Sequence, residues 1–223
     1  MQPSTKGETV ARLRFDIAMS LDGYIAGPDQ SLEHPLGVGG EQLHEWGIAL
    51  EAWRKSHGQE GGEVNPSTVV IAEMFANVGA HVMGRNMYGG GPGPWGDDTW
   101  PGWWGEDPPF HAPVFVVTHH AREPLPMEGG TTFHFITDGI ESALDQAKEA
   151  AGGEDVHLGG GASIAQQYLE AGLIDELNIS LVPVLLGGGE RLFDNLEGSD
   201  VKLEPARVIE APGVTHLRYL AVR

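Results

Sequence analysis

A short apolar run, three consecutive glycines and a helical pattern follow one another at residues 156–171. Val156-His157-Leu158 is typical of a buried strand, Gly159-Gly160-Gly161 of a tight turn, and the residues after them of a helix. Glycine has no Cβ, so its backbone can come close to a ligand. A helix start adds free N–H donors that suit a phosphate. A plain strand-to-helix turn also explains the glycines, so other motifs must decide between the two.

Length and composition limit the classes of protein that this chain can be. Its 223 residues fit one large domain or two small ones, and we expect a single domain over residues 1–223. No stretch approaches the roughly 18 apolar residues of a membrane span. The first 15 residues lack the apolar segment of a signal peptide. We therefore expect a cytoplasmic protein that does not bind membranes.

The chain has no cysteines and a formal net charge of −19. Disulfides, thiolate catalysis and cysteine-based zinc sites are excluded by the first fact. The second disfavours binding to nucleic acid, which needs a basic surface. It also means that an anionic cofactor must be met by local positive groups. The few basic residues near turns are therefore the ones to examine.

Strand patterns alternate with helical patterns along most of the chain. The pattern predicts strands over 11–18, 80–83, 114–118, 132–136, 156–158 and 174–182, and helices over 41–55, 66–77, 139–151 and 161–171. Alternation of this kind predicts a mainly parallel sheet with helices on both faces. Residues 203–209 and 215–222 flank Pro212-Gly213 and predict a closing antiparallel hairpin, which makes the sheet mixed.

The segment Gly89–Pro109 has no period, is rich in glycine and proline, and contains four tryptophans, at 95, 100, 103 and 104. Loops of this length are usually functional or disordered. Large aromatic rings favour contact with a surface, which argues against disorder. We interpret the segment as an insertion. A subunit interface and a lid over a substrate are both open, and the interface is favoured because tryptophans are frequent there.

Two further turns follow predicted strands. Gly84 and Arg85 stand where a strand meets a helix start, and Thr118-His119-His120-Ala121-Arg122 ends the next strand. Arginine presents a planar fork to phosphate, although an ordinary surface arginine at a helix terminus fits Arg85 equally well. The three turns would share one edge of a parallel sheet, where ligands bind in open α/β folds. Together they fit an extended anion such as a dinucleotide, although the G-x-G-x-x-G fingerprint is not met.

At this point the chain resembles a known family. The segments MSLDGYIAG, VMGRNMYG, VFVVTH, VHLGGGASIAQQYLEAGLIDEL and LVPVLLGGGERLF are similar to the dihydrofolate reductase-like superfamily. They are closest to the riboflavin-biosynthesis reductase domain, and the resemblance covers residues 12–222. It implies an α/β fold with a mixed, mostly parallel sheet flanked by helices and a C-terminal antiparallel hairpin. It further implies NADPH as cofactor, hydride transfer and a homodimer.

The resemblance also assigns roles to individual residues. Ala18 would face the nicotinamide amide through its backbone. Gly84, Arg85 and Asn86 match the turn that binds phosphates of the adenosine half. Thr118 and His119 match the turn beside the adenosine 2′-phosphate, which favours NADPH over NADH. The pyrophosphate and nicotinamide end is matched by Gly159, Gly160, Gly161, Ser163 and Ile164.

Other polar residues allow two interpretations each. Asp22 could orient a substrate or assist proton transfer, or it could be a turn former whose carboxylate caps N–H groups. Glu41 and His44 could line a substrate cleft or lie on a solvated helix face, and Trp46 fits the core better than a stacking platform. The pair His119-His120 lacks the further ligand spacing of a metal site, so we expect no metal.

The substrate is left open by the sequence. The first long helix begins Glu41-Gln42-Leu43, and no acidic residue there aligns with the one that holds the pterin in folate reductases. The riboflavin branch acts on a phosphorylated substrate, and no basic pocket for it is evident. A zinc-binding deaminase domain is also absent from the sequence. We expect an NADPH-dependent reductase of a small heterocyclic or carbonyl substrate. The alternatives are a nucleotide-binding module without turnover and a flavin-binding relative.

Overall fold

The computed structural model describes residues 11–31, 33–56, 59–89, 93–96, 104–197 and 199–222. The chain forms two compact units. The first unit combines the segment that ends at Leu13 with Asn77–Gly159. The second combines Arg14–Ala76 with Gly160–Arg223. A single domain over residues 1–223 remains a prediction.

Eleven strands and six α-helices make up the described chain. In order they are β1 (Leu13–Ser20), β2 (Tyr24–Ala26), α1 (Glu45–Ile48), α2 (Glu51–Ser56), α3 (Ser67–Phe75), β3 (Val78–Gly84), α4 (Arg85–Tyr88), β4 (Pro113–Val117), β5 (Leu125–Pro126), β6 (Thr132–Ile136), α5 (Ile140–Ala151), β7 (Asp155–Leu158), α6 (Ala162–Glu170), β8 (Glu176–Val182), β9 (Glu190–Arg191), β10 (Lys202–Ala211) and β11 (Val214–Val222). Short 3-10 turns lie at Gly40–Leu43 and Glu128–Gly130.

The first unit is built on the strand order β7-β3-β4-β6-β5. Strands β7, β3, β4 and β6 run parallel, and β5 is antiparallel to β6. Helix α5 buries Ala143, Leu144, Ala147 and Ala151, a stripe at helical spacing. A core cluster formed by Met83, Tyr88, Val114, Val116, Phe133 and Phe135 holds the strands and α4 together.

The second unit is built on the order β10-β11-β8-β1. Strands β1 and β8 are parallel, whereas β11 is antiparallel to both β8 and β10. A separate antiparallel pair joins β2 to β9. Arg14 is buried and donates to the Glu73 and Ala76 carbonyls at the end of α3, at 2.7 and 2.9 Å. A cation at a helix C-terminus compensates the unpaired carbonyls there.

The predicted mixed, mostly parallel sheet with a C-terminal antiparallel hairpin is confirmed. Most predicted strands and helices lie within a few residues of the observed ones. The small β2–β9 pair and the two-residue strand β5 were not predicted. Both are too short to carry an alternating pattern.

The prediction of a continuous helix over 41–55 is wrong. A 3-10 turn, α1 and α2 occupy this stretch, and the helix is interrupted at Ala49-Leu50. The Glu51 N–H donates to the Glu63 carbonyl at 2.9 Å, and the Glu63 N–H donates to the Ala49 carbonyl at 2.8 Å. These long-range bonds replace helical ones. The apolar spacing still identified buried residues, since Leu43 and Leu50 are fully buried.

Two of the four tryptophans in the predicted insertion fall within the described chain. Trp95 and Trp104 both pack against the core cluster of the first unit. Trp100 and Trp103 lie outside the described residues. The described pair thus covers the protein's own core, whereas the interface and lid interpretations of the whole segment stay predictions. Over the described ranges, none of the helices combines the length and apolar character needed to span a bilayer.

Candidate functional site

Three turns lie side by side at the carboxyl ends of β7, β3 and β4 in the first unit. In register, Val82 of β3 faces Leu158 of β7, and Gly84 faces Val117 of β4. The residues that follow these strands are therefore neighbours at one edge of the unit. The sequence predicted this arrangement, because the carboxyl ends of parallel strands share an edge.

The middle turn carries Gly84, Arg85 and Asn86. Gly84 has an extended backbone (φ −81°, ψ 160°) and precedes the four-residue helix α4. Asn86 is exposed, and Arg85 is half-buried. The guanidinium carbon of Arg85 lies 3.0 Å from the centre of the Trp95 ring. Burial lowers the pKa of Arg85, and the nearby charge of Arg122 lowers it further.

The turn after β4 carries Thr118 and His119. Thr118 is buried, its N–H donates to the Ile136 carbonyl at 2.9 Å, and its Oγ1 accepts the His120 N–H at 3.2 Å. His119 is exposed. The Thr118 hydroxyl therefore fixes the turn itself, which leaves the His119 side chain at the surface.

Arg122 and Tyr88 complete this edge, and neither was among the predicted binding residues. Arg122 Nη1 donates to the Tyr88 hydroxyl at 3.0 Å, and its guanidinium carbon lies 5.0 Å from the Trp95 ring centre. Burial raises the pKa of Tyr88, so the hydroxyl stays protonated. The sequence offered a signal for Arg122, because it ends the basic run that follows β4. Nothing local pointed to its contacts with Tyr88 and Trp95.

Gly159 ends the first unit, and its surroundings leave little room for a side chain. Its N–H donates to the Val82 carbonyl at 2.7 Å. A Cβ at this position would lie 2.8 Å from Met87 Sδ and 3.3 Å from Met83 Cβ. The backbone of Gly159 is therefore held directly against β3 and α4.

Gly160 and Gly161 begin the second unit's part of the turn and lead into α6. Gly161 precedes the helix with φ 108° and ψ 126°, a conformation that other residues rarely adopt. A Cβ on Gly160 would lie 3.3 Å from Ile17 Cδ1. Ser163 is exposed in the first turn of α6, and Ile164 is buried. The unpaired N–H groups of such a helix start suit an anion.

Ala18 lies near the end of β1 in the second unit. It is buried, pairs with Ser180 of β8, and packs in a cluster with Leu43, Val182 and Val214. Its side chain is thus part of the core. Only its backbone could face a ligand, as the resemblance implies.

Asp22 holds two loops together. Its Oδ1 accepts the Ser20 hydroxyl at 2.6 Å and the Leu186 N–H at 3.1 Å, and its Oδ2 accepts the Gly187 N–H at 2.8 Å. The Ser20 hydroxyl is the main reason that the pKa of Asp22 lies below its usual value of 3.8. A carboxylate that is this well stabilised as an anion is a poor proton donor near neutral pH. The contacts match the capping interpretation.

The polar residues around Trp46 were assigned less clearly from sequence. Trp46 packs against the Ala18 cluster, and its indole N–H donates to the Leu43 carbonyl at 2.9 Å. This is the core position that was favoured. Glu41 is exposed and His44 is half-buried, and burial lowers the pKa of His44.

A buried polar group lies between α3, β8 and β11 in the second unit and was not predicted. His216 Nε2 is 2.8 Å from Ser67 Oγ, and its Nδ1 is 2.9 Å from Ser180 Oγ. Burial lowers the pKa of His216 to about 4. The ring is therefore neutral at physiological pH, and it satisfies two hydroxyls that would otherwise be buried without partners.

No group of three His, Asp or Glu residues within the described ranges has the geometry to hold a metal ion. The positively charged side chains described at the edge of the first unit are Arg85 and Arg122. Their chemistry, together with the glycine turn, suits a phosphate-bearing ligand better than a cation.

Comparison with known proteins gives independent evidence on the family and the fold. Residues 11–217 match the family model described as the RibD C-terminal domain. Among curated proteins, the uncharacterized protein YyaP of Bacillus subtilis (strain 168) is 35% identical over 86 residues, which are 38% of this chain. The match spans 45% of that relative's own length.

Solved structures share the fold over almost the whole chain. A protein described as a riboflavin biosynthesis protein from Shewanella sp. PV-4 is 25% identical with a TM-score of 0.61, covering 96% of this chain and 99% of that one. RibD from Acinetobacter baumannii is 16% identical with a TM-score of 0.54, covering 96% of this chain and 59% of its own. A deaminase/reductase from Thermotoga maritima, named for diaminohydroxyphosphoribosylaminopyrimidine and 5-amino-6-(5-phosphoribosylamino)uracil, is 13% identical with a TM-score of 0.55, covering 95% of this chain and 57% of its own. These likenesses confirm the predicted α/β fold class.

Proposed function

Because the chain belongs to the RibD C-terminal domain family, we propose that it is an NADPH-dependent reductase of a small heterocyclic or carbonyl substrate. Membership confirms the predicted resemblance to the riboflavin-biosynthesis reductase branch of the dihydrofolate reductase-like superfamily. The fold is of the reductase type. The cofactor, the substrate and turnover by this chain are the parts that we propose.

One observation carries the proposal. Three turns, after β7, β3 and β4, share one edge of the first unit, and this edge holds two guanidinium groups, Arg85 and Arg122. The chain carries a formal net charge of −19. In such a chain, two cations at the ligand-binding edge of a parallel sheet favour an anion there. A cofactor with an additional phosphate on its adenosine half meets that requirement.

The proposed roles in the first unit follow the predicted residues. Gly84, Arg85 and Asn86 would bind phosphate oxygens of the adenosine half through backbone N–H groups and the guanidinium fork, and we assign the fork of Arg85 to the 2′-phosphate. Thr118 and His119 would lie beside the 2′-phosphate. The Thr118 hydroxyl is engaged by the His120 N–H, so we assign Thr118 to shaping the turn and His119 to contact with the ligand.

The proposed roles in the second unit concern the glycine turn and β1. Gly160 and Gly161 would let the backbone come close to the ligand, since neither carries a Cβ, and the positive φ of Gly161 disfavours any other residue there. Ser163 would add a hydroxyl at the start of α6, next to the buried Ile164. Ala18 would present its backbone to the nicotinamide amide. In the first unit, Gly159 would contribute its backbone to the same glycine turn.

The chemistry asked of the chain is binding and orientation. When bound, NADPH supplies the hydride, which is the difficult part of the reaction. The residues of this chain would fix the cofactor and substrate in a reactive orientation and keep water out. Asp22 is ionised at neutral pH, and its three hydrogen bonds stabilise the anion further. We therefore propose that Asp22 holds the end of β1 in place and that the proton comes from elsewhere.

Two alternatives remain to be separated by experiment. A nucleotide-binding module without turnover would bind NADPH and leave it unoxidised with every substrate offered. A flavin-binding relative would be yellow when purified and would show flavin absorbance after denaturation.

We also propose that the protein is a homodimer. Light scattering during size-exclusion chromatography tests this directly.

The experiment is a spectrophotometric assay of NADPH oxidation against a panel of small carbonyl and heterocyclic compounds. The result expected is substrate-dependent loss of NADPH absorbance that is faster than with NADH. Arg85→Ala should reduce kcat/KM for NADPH by about tenfold to a hundredfold, since it removes a charge-assisted phosphate contact. Arg54→Ala on α2 makes the same change away from the proposed residues and serves as control. If the purified protein binds NADPH but does not oxidise it with any compound of the panel, the nucleotide-binding module without turnover replaces the reductase as the proposed function.

A further inference from the structure

Trp95 is placed against both arginines of the first unit. The Arg85 guanidinium carbon lies 3.0 Å from the Trp95 ring centre, and that of Arg122 lies 5.0 Å from it. Both distances are within the range at which a cation is attracted to an indole ring. One ring therefore contacts a residue of the turn after β3 and a residue of the turn after β4.

The Trp95 indole N–H makes the second connection. It donates to the His120 carbonyl at 2.8 Å. That carbonyl belongs to the turn whose Thr118 hydroxyl accepts the His120 N–H at 3.2 Å. Trp95 thus joins Arg85 to the backbone beside His119, although it comes from a different part of the chain, the tryptophan-rich segment Gly89–Pro109.

The Trp95 ring is held in place by two aromatic residues of the core cluster. Tyr88 meets Trp95 edge-on at 5.7 Å between ring centres, and Phe135 does so at 5.0 Å. Tyr88 is fully buried, and its hydroxyl accepts Arg122 Nη1 at 3.0 Å. Trp95 therefore packs against the core cluster. A ring supported in this way can hold a flexible arginine in one orientation.

The two arginines also influence each other. Burial is the main cause that lowers the pKa of Arg85, and the positive charge of Arg122 lowers it further. Two cations held near one ring repel each other, and an anion between them relieves that repulsion. Without the anion, the Trp95 ring offsets part of this repulsion, because both guanidinium groups are attracted to the ring.

We propose that Trp95 is a positioning residue that holds Arg85 and the 118–122 turn for the 2′-phosphate of the cofactor's adenosine half. This inference rests on the proposed function. It assigns Trp95 a purpose that neither the interface nor the lid interpretation provides. Trp95 acts through Arg85 and the backbone of His120, and it does not itself carry out chemistry.

The test compares Trp95→Leu, Trp95→Phe and a matched control, Trp104→Leu. Trp104 comes from the same segment and packs against the same core cluster, with its ring 5.0 Å from that of Phe110. Trp95→Phe keeps an aromatic face for the arginines and loses the N–H donated to His120. The readouts are dissociation constants for NADPH and for NADH by calorimetric titration, with thermal unfolding of each variant without ligand.

Trp95→Leu should weaken NADPH binding by about tenfold, the effect of losing about 1.4 kcal/mol, and leave NADH binding nearly unchanged. The preference for NADPH over NADH should then fall by a similar factor. Trp95→Phe should retain most of the preference, because a ring still faces Arg85. Trp104→Leu should lower the unfolding temperature and leave the preference intact.

Two results would overturn the inference. One is an unchanged ratio of NADPH to NADH affinity in Trp95→Leu, or, if the leucine variant does not fold, in Trp95→Met, which also removes the ring. The other is an equal loss of preference in Trp104→Leu. Failure of the wild-type protein to bind NADPH would instead overturn the proposed function, and with it the premise of this inference.

Discussion

Asp22 and Gly187 are 165 residues apart in sequence, and the Asp22 Oδ2 accepts the Gly187 N–H at 2.8 Å. The same carboxylate accepts the Leu186 N–H and the Ser20 hydroxyl. One acidic side chain therefore ties the end of β1 to the loop after β8. The Asp-Gly signal in the sequence predicted the turn, but it did not predict the hydrogen bonds of Asp22 with Leu186 and Gly187.

Replacing Asp22 with Asn should lower the unfolding temperature at pH 7, because an amide cannot accept all three hydrogen bonds and its NH2 group would face an N–H donor. The pKa of Asp22 is lowered from its usual 3.8 in the folded protein. Its contribution to stability is therefore present above about pH 4 and is lost as the pH falls through the folded pKa. The difference between wild type and variant should shrink in that acidic range.

Thermal unfolding of both proteins across this pH range measures the effect of Asp22. Asp145→Asn, an exposed change on α5, is the control and should leave the unfolding temperature nearly unchanged. Equal unfolding temperatures of wild type and Asp22→Asn at pH 7 would contradict the assignment.

Gly161→Ala should destabilise the protein by about 1–2 kcal/mol, because the residue has φ 108° and a side chain is strained there. NADPH binding should weaken as well, since the helix start would shift. Gly160→Ala is the matched control, in which the new Cβ meets only the end of the flexible Ile17 side chain at 3.3 Å. Urea unfolding measures both variants. A loss of stability that is equal at the two positions would show that the backbone conformation at Gly161 does not matter.

His216 should make stability depend on pH in a mildly acidic window. Burial lowers its pKa from 6.5 to about 4, so between these values the unfolded chain binds a proton that the folded protein excludes. Stability should therefore fall as the pH drops from about 6.5 to 4, by at most about 1.4 kcal/mol per pH unit for one proton.

His216→Gln should reduce the pH dependence of stability, and urea unfolding at several pH values in this window checks it. Some dependence should persist, because burial also lowers the pKa of His81, to about 3. The same steepness in wild type and His216→Gln would mean that His216 is not the group that titrates.

Glu73 joins α3 to the terminal hairpin through two arginines. It accepts Arg207 Nη1 at 2.8 Å and Arg218 Nη2 at 2.6 Å. The hydrogen bond from Arg207 is the main reason that the pKa of Glu73 lies below its usual 4.5. Glu73→Gln should lower stability by about 0.5–1 kcal/mol, a modest value because the carboxylate is partly exposed.

The effect of Glu73→Gln should diminish in 1 M salt, because exposed charges are screened over about 3 Å there. It should also diminish as the pH falls from about 4.5 through the lower pKa of Glu73 in the folded protein, because the carboxylate is then protonated. Glu149→Gln, an exposed change on α5, is the control. If the loss from Glu73→Gln is the same at low and high salt, the pair interaction is not its cause.

Much of the fold could be predicted from the sequence, because its signals are local. The apolar run before Gly159 predicted β7, and the pattern after Gly161 predicted α6. The edge shared by the turns at Gly84, Thr118 and Gly159 followed from parallel pairing alone. The terminal hairpin followed from two alternating runs around Pro212-Gly213.

The remaining features depend on contacts between distant parts of the chain. The helix predicted over 41–55 is interrupted because Ala49 and Glu51 form backbone hydrogen bonds with Glu63. No local sequence pattern predicts such hydrogen bonds. Trp95 was noticed for its size, but its position against Arg85 depends on contacts with Phe135 and the His120 carbonyl, which are distant in the sequence. The hydrogen bonds of His216 with Ser67 and Ser180 could not be predicted from the sequence either, because the three residues come from three different elements.

Calorimetric titration of the purified protein with NADPH and, separately, with NADH tests the central claim most directly. The account predicts binding of NADPH with a dissociation constant in the micromolar range and clearly weaker binding of NADH. Arg85→Ala should remove most of the NADPH affinity, whereas Arg54→Ala should retain it. Absence of binding of either cofactor by folded wild-type protein would contradict the claim that this chain is an NADPH-dependent reductase.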